Sequence, residues 1–178
     1  RPFVLKVVGD YAWEQGVLRF GVTDDVDSFQ IEKKKGHVVV SFFRFIERFV
    51  AKKAAKIIVP SVYLQQMLSH WGVKKSSVEV IYNSIGAIDS LMPLKKEFSP
   101  ERINLVSVGR LVPWKGNRAL IDVALTLHRS GHDIFLTIIG AGPDEEALRE
   151  HMYRSAAEDI IRFLGNRSRK ETHAQIAA

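Results

Sequence analysis

The sequence predicts an α/β protein built on two parallel sheets, and three observations carry that expectation. Apolar stretches of strand length alternate with amphipathic stretches of helical period along most of the 178 residues. The central strands are apolar on both faces, as strands covered by helices on either side require. A stretch at 84–100 with Gly86, Pro93, Pro100 and several charges has no periodicity and divides the series in two.

From the amino end, FVLKVVG (3–9) is the first strand. A strand that begins almost at residue 1 leads us to expect a piece of a longer chain. Residues 10–37 are polar and expected to be irregular. From Val38 to Ala55 the period is helical, with Phe42, Phe45, Ile46, Phe49 and Val50 on one face. That face is expected in the core, with Arg44, Glu47 and Arg48 largely off it. KIIVP (56–60) is a strand, Ser61 an N-cap, and the helix to about His70 points Leu64, Met67 and Leu68 inward. VEVIYN (78–83) closes the first unit.

In the second unit INLVSVG (103–109) is a strand, followed by a helix from Gly116 to Ser130 with Leu120, Val123, Ala124 and Leu127 on one face. Gly131 is its expected C-cap. DIFLTIIG (133–140) is a strand, Pro143 opens a helix to about Ser155, and IIRFLG (160–165) is the last strand. A final helix begins near Arg169.

Composition excludes several classes. No run of about 18 apolar residues exists, so no membrane-spanning helix is expected. The opening residues meet a charge too early to read as a secretory signal. With no cysteine, disulfides and thiolate metal sites are excluded, which fits a reducing compartment. The net charge of +6, from 26 basic and 20 acidic residues, suits an anionic ligand, an anionic membrane or nucleic acid, and selects none of them.

The most informative stretch is VSVGRLVPWKG (106–116). Ligands of open parallel sheets bind beyond the carboxyl ends of the strands. There the sequence sets Gly109 and Arg110 at a strand end, and Lys115 and Gly116 at the start of a helix whose unpaired amides already favour anions. Arg binds phosphate through two parallel hydrogen bonds and Lys as a point charge. The alternative is that both cations reach solvent. One strand later IIGAGPDEEAL (138–148) sets Gly140 and Gly142 at the next strand end, where a missing side chain admits a ligand or merely a tight turn. In DYAWE (10–14), Asp10 and Glu14 follow the first strand and can meet sugar hydroxyls or stand in a solvated loop. Asp25 and Asp27 of TDDVDSF match D-x-D, a chance-prone metal signal without the strand end it needs. The six histidines show no ligand spacing. The KKK run at 33–35 and the aromatics of SFFRFIERF invite a nucleic-acid reading, but helical spacing assigns those aromatics to the core.

INLVSVGRLVPWKGNRALIDVALTL, LTIIGAGPDEEALRE and IIRFLGN, taken in that order, resemble the start of the C-terminal domain of family-four retaining glycosyltransferases (glycosyltransferase group 1). IERFVAKKAAKIIVPSVYLQQMLSHWGVKKSSVEVIYNSI resembles the end of their N-terminal domain and the hinge. The resemblance covers roughly residues 40–165. It implies a GT-B fold of two Rossmann-like domains, each incomplete here: 1–86 the end of the acceptor-side domain, 87–100 the linker, and 101–178 the start of the nucleotide-sugar-binding domain. The implied activity is retaining transfer of a hexosyl group from a UDP- or GDP-sugar to a glycan, lipid-linked or small-molecule acceptor. Arg110 and Lys115 would hold the donor diphosphate and stabilise it as it leaves, and both are expected to be catalytic. Gly109, Gly116, Gly140, Gly142, Gly165 and Asn166 would complete the donor site, while Asp10 and Glu14 would face sugar or acceptor. No metal, no cofactor and no nucleic acid are expected, since the nucleotide-sugar is a substrate. The expected location is the cytoplasm, with contact at the inner membrane face left open. The family's glycine-rich opening loop, its E-G-F-G segment and its pair of glutamates are absent, so the chain is expected to be inactive alone. A non-catalytic nucleotide-binding module and a nucleotide-sugar epimerase are the competing readings.

Overall fold

The structure, a computed structural model, describes residues 1–31, 37–84 and 102–177. The expected linker at 87–100 and the KKK run at 33–35 lie outside the described residues. The chain divides into two compact units, 1–86 and 87–178.

The first unit runs β1 (Val4–Lys6), α1 (Tyr11–Arg19), α2 (Val26–Ile31), α3 (Val38–Lys53), β2 (Lys56–Val59), α4 (Val62–His70) and β3 (Val78–Val80). Its strands form a parallel sheet in the order β1-β2-β3, with Leu5 opposite Ile57 and Ile57 opposite Val78. Hydrogen bonds prolong the ladder beyond the formal strands: Val7 N donates to Ile58 O at 2.9 Å and Ile81 N to Val59 O at 2.9 Å. Ile57 and Val59 of the central strand are wholly buried against Leu64, Met67, Leu68 and Trp71. The inward face expected for α4 is therefore present, and Ser61 caps it by accepting from Leu64 N at 3.2 Å.

Two features of this unit differ from the sequence expectation. The 10–37 stretch is not wholly irregular, because it carries α1 and α2. Asp10 caps the first by accepting from Trp13 N, and Asp25 caps the second by accepting from Asp27 N and Ser28 N. The second difference is the rotation of α3. Val40 and Ala51 are buried and Phe43 packs inward, whereas Phe42 and Phe45 are 58% and 62% exposed and Ile46 and Phe49 also face out. Counting apolar residues selects the aromatic stripe, but the face that packs is the one α1 needs. Glu47 reaches the α1 amides, and Arg44 Nη2 donates to Phe29 O at 2.8 Å while its guanidinium lies 4.4 Å from the Phe29 ring centre.

The second unit runs β4 (Ile103–Val108), α5 (Asn117–Arg129), β5 (Ile134–Ile139), α6 (Glu145–Arg154), β6 (Ile161–Gly165) and α7 (Arg169–Ala177). Its parallel sheet has the order β4-β5-β6, with Leu105 opposite Leu136 and Leu136 opposite Ile161. All six residues of β5 are buried, as a central strand with covered faces demands. Helix α5 buries Ile121, Ala124 and Leu125 most deeply, packs the expected Leu120 and Leu127 partly buried against the same core, and leaves Val123 exposed. Gly131 ends it in the left-handed region, its N–H donating to His128 O at 2.9 Å. Each unit is a three-stranded parallel sheet with helices between its strands, of the Rossmann type, so the expected α/β architecture holds.

Candidate functional site

The carboxyl ends of β4, β5 and β6 are laced into one platform by backbone hydrogen bonds. Gly109 N donates to Ile139 O at 3.0 Å, Leu111 N to Ala141 O at 3.0 Å, Asp144 N to Leu111 O at 3.2 Å, and Gly140 N to Gly165 O at 2.9 Å. Leu111 and Val112 are driven into the core, each about 2% exposed or less. Burial of this pair anchors the β4–α5 loop while Gly109 and Arg110 before it and Pro113 and Lys115 after it stay at the surface. A 3-10 turn over Pro113–Lys115 leads to Gly116, whose φ of 69° lies in the left-handed region that glycine enters without strain. Ser107 Oγ donates to Asn117 Oδ1 at 3.1 Å, tying the strand end to the first residue of α5.

Arg110 and Lys115 are both exposed, and among the described residues neither side chain has a hydrogen bond or ion pair. Helix α5 starts without a side-chain cap, so no side chain serves its first amides. Two unpaired cations beside an uncapped helix start form a locally positive strand end that an anion would stabilise. Gly165 ends β6 at the same platform, and Asn166 follows it, exposed. Gly140 and Gly142 have a more specific role than the sequence suggested. A Cβ on Gly140 would stand 1.9 Å from Gly109 O, and one on Gly142 would stand 2.1 Å from Leu111 O. Both glycines are required by the neighbouring loop, whatever ligand approaches.

Residues Asp10 and Glu14 lie in the first unit, past the carboxyl end of β1. Asp10 is 3% exposed and both its oxygens are taken. Oδ1 accepts from Trp13 N at 2.6 Å and Oδ2 from Gln30 Nε2 at 2.6 Å, while Gln30 Oε1 accepts from Trp71 Nε1 at 2.9 Å. The structure thus places Asp10 in a buried polar chain that pins α1, α2 and the end of α4 together. Asp10→Ala is expected to lower stability by about 2 kcal/mol, through loss of a helix cap and exposure of a buried amide to no partner. Urea unfolding followed by the fluorescence of Trp13 and Trp71 measures it. Glu14, by contrast, lines an open pocket of about 380 Å³ with Lys6, Gly9, Tyr11, Glu47 and Trp71.

Glu47 is the residue the sequence reading passed over. Its Oε1 accepts from Tyr11 N at 2.7 Å and its Oε2 from Ala12 N at 3.2 Å. Burial, followed by the nearby Asp10 charge, pushes its carboxyl up to about 7. Glu47 shares one helical face with Val40, Phe43 and Ala51, and the sequence pattern gave no signal for that face because the aromatic stripe beside it is more apolar. Asp25 has local partners, and Asp27 has one from α4. The Ser28 amide and hydroxyl hold the Asp25 carboxyl below its usual range, and Tyr63 OH donates to Asp27 Oδ1 at 2.7 Å.

Residues 93–178 match the model of the family described as "Glycosyl transferases group 1". A protein of Klebsiella pneumoniae, described as an uncharacterized 41.2 kDa protein in the cps region, is 33% identical over 102 residues, covering 54% of this chain and 28% of that protein. The GtfA subunit of the UDP-N-acetylglucosamine–peptide N-acetylglucosaminyltransferase of Streptococcus gordonii is 26% identical over 111 residues, 62% of this chain and 21% of that one. The chain therefore spans about a quarter of the length of these curated relatives. Among solved structures, Anabaena Alr3699/HepE in complex with UDP and glucose superposes with a TM-score of 0.63 at 18% identity, over 99% of this chain and 44% of that one. TarM superposes with a TM-score of 0.54 at 17% identity, over 78% of this chain and 26% of that one. At these identities the superpositions establish the fold.

Proposed function

We propose that the chain is part of a retaining group 1 glycosyltransferase that moves a hexosyl group from a UDP- or GDP-sugar to a glycan, lipid-linked or small-molecule acceptor. One observation carries the reading: Arg110 and Lys115, exposed and without partners among the described residues, flank the anchored Leu111–Val112 pair at the carboxyl end of β4, inside the stretch that matches the family model. In this reading residues 101–178 are the nucleotide-sugar-binding side and 1–86 the acceptor side. The bond from the anomeric carbon to the diphosphate breaks as an acceptor hydroxyl oxygen bonds to that carbon and passes its proton to the departing phosphate, and negative charge develops on the leaving phosphate oxygen. Arg110 receives that charge through parallel N–H donors and Lys115 through its ammonium, so the catalysis is electrostatic and needs no metal. Gly109 and Gly116 let the loop run close to the diphosphate, and Gly165 and Asn166 stand nearer the base. A UDP-and-glucose complex of a fold relative supports a uridine donor first.

On the acceptor side, exposed Phe42, Phe45 and Phe49 share α3 with Arg48, Lys52 and Lys53. That composition supports contact with an anionic membrane face near the acceptor. No described helix is long and apolar enough to cross a membrane.

Isothermal titration of UDP and GDP into the chain tests the proposal. Binding of one nucleotide, unchanged by EDTA, is the expected result, together with no sugar transfer by the 178-residue chain itself. A folded chain that binds neither nucleotide overturns the reading, and turnover by this chain overturns its expected inactivity.

A further inference from the structure

The first amides of a helix have no acceptor within it. In α1 they are served from outside: Asp10 takes Trp13 N, and Glu47, thirty-six residues on from Tyr11, takes Tyr11 N and Ala12 N with separate oxygens. The turn so held forms a wall of the 380 Å³ pocket, which Gly9, Tyr11, Glu14 and Glu47 all line. Gly9 and Glu14 are closely fitted within it, since a Cβ on Gly9 would stand 3.2 Å from Glu14 Oε1.

We propose that Glu47 is the positioning residue of this turn: its carboxylate holds the amides of Tyr11 and Ala12, and so fixes where Gly9, Tyr11 and Glu14 stand in the pocket. The clamp rests on geometry alone; its consequence for sugar transfer rests on reading the acceptor side into residues 1–86.

Both arms of the clamp require an ionised carboxylate. Protonation converts one oxygen to a hydroxyl that faces a donor, and one arm is lost. The groups facing Glu47 are Asp10, Tyr11 and Glu14 from α1 and its cap, Lys6 from β1, and Arg44 and Arg48 from α3 itself. Burial and Asp10 favour the proton, and the two amides and Arg48 oppose it. The folded chain thus binds this proton more tightly than the unfolded chain does. Stability contributed by protonated Glu47 is full below about 4.5 and is lost as pH rises through about 7, while the clamp itself closes. Burial alone gives the first trend, whereas only a carboxylate bonded to the two amides gives the second.

The test is a pH series on the 15N-labelled chain from pH 5 to 8.5, following the amide resonances of Tyr11 and Ala12, with Trp13 as the Asp10-bound reference. The expected result is one shared titration with its midpoint near 7, absent in Glu47→Gln. A lower protection factor of the Ala12 amide below the midpoint, taken against the base-catalysed intrinsic rate at each pH, accompanies it. Amides that do not titrate, or a titration that persists in Glu47→Gln, overturn the proposal. Should that variant not fold, the Glu47 carboxyl carbon of the unsubstituted chain is followed instead. A midpoint shared with both amides supports the clamp, and separate midpoints overturn it. UDP and GDP titration of the same samples separates the two readings. Nucleotide binding without amide titration removes the clamp and keeps the proposed function, and titration without nucleotide binding does the reverse.

Discussion

Arg110→Ala is expected to lower kcat/KM for sugar transfer by about 30- to 1000-fold in a transfer-competent protein carrying this sequence, a loss of roughly 2–4 kcal/mol of transition-state stabilisation. Lys115→Ala is expected to cost a similar amount. The size follows from what the side chains lack. Neither has an internal partner among the described residues, so removing either leaves no buried charge unpaired and little fold stability is at stake. Whatever is lost is then lost from the ligand. The split between kinetic constants identifies the step: a fall in kcat with KM little changed assigns the cations to the leaving diphosphate, whereas a rise in KM alone assigns them to ground-state donor binding. Arg110→Lys is informative in the same assay. It keeps the charge but not the parallel N–H donors, so a partial loss indicates bidentate contact. Unchanged kinetics in both alanine variants overturn the assignment, and the positive strand end then merely faces solvent.

The strand end around Arg110 was legible because its signals are local. A buried strand, a glycine, and cations at the first turn of the next helix are consecutive in VSVGRLVPWKG, and parallel topology dictates which end of the sheet they occupy. Ser61 and its inward residues Leu64, Met67 and Leu68 were legible for the same reason, since a cap and a helical period lie within one short segment. The rotation of α3 was not. Its outward stripe of Phe42, Phe45, Ile46 and Phe49 is the more apolar one, and the inward face was chosen by a partner, α1, whose amides call for the carboxylate of Glu47. No helical-period count contains that information, because the two ends of the interaction lie 36 residues apart. Asp10 shows the same limit. A carboxylate past a strand end invites a ligand role, yet Gln30 and Trp71, distant in sequence, complete a buried chain around it.

Gly142→Ala is expected to destabilise the second unit by about 3–5 kcal/mol, against a total of roughly 5–15 kcal/mol for an ordinary domain. The added Cβ would stand 2.1 Å from Leu111 O and 2.7 Å from both Leu111 C and Leu111 N. These are backbone atoms, so no rotamer change relieves the overlap. Retreat of the β4–α5 loop is costly because Leu111 N donates to Ala141 O, Asp144 N donates to Leu111 O, and the Leu111 side chain is 1% exposed in the core. Giving up two hydrogen bonds and part of that burial accounts for the estimate. Gly140→Ala is expected to act in the same direction, with its Cβ 1.9 Å from Gly109 O and its φ of 137° unfavourable for alanine. Amide exchange of Leu136 and Ile138 in β5 reads the opening of this unit without interference from the first. The sequence alone offered a different reason for these glycines, the close approach of a nucleotide. The two reasons separate cleanly: packing predicts faster β5 exchange in the absence of any nucleotide, whereas ligand approach predicts unchanged exchange and weaker UDP binding. The contacts with Leu111 and Gly109 require the first outcome, and the second would return both glycines to the donor site.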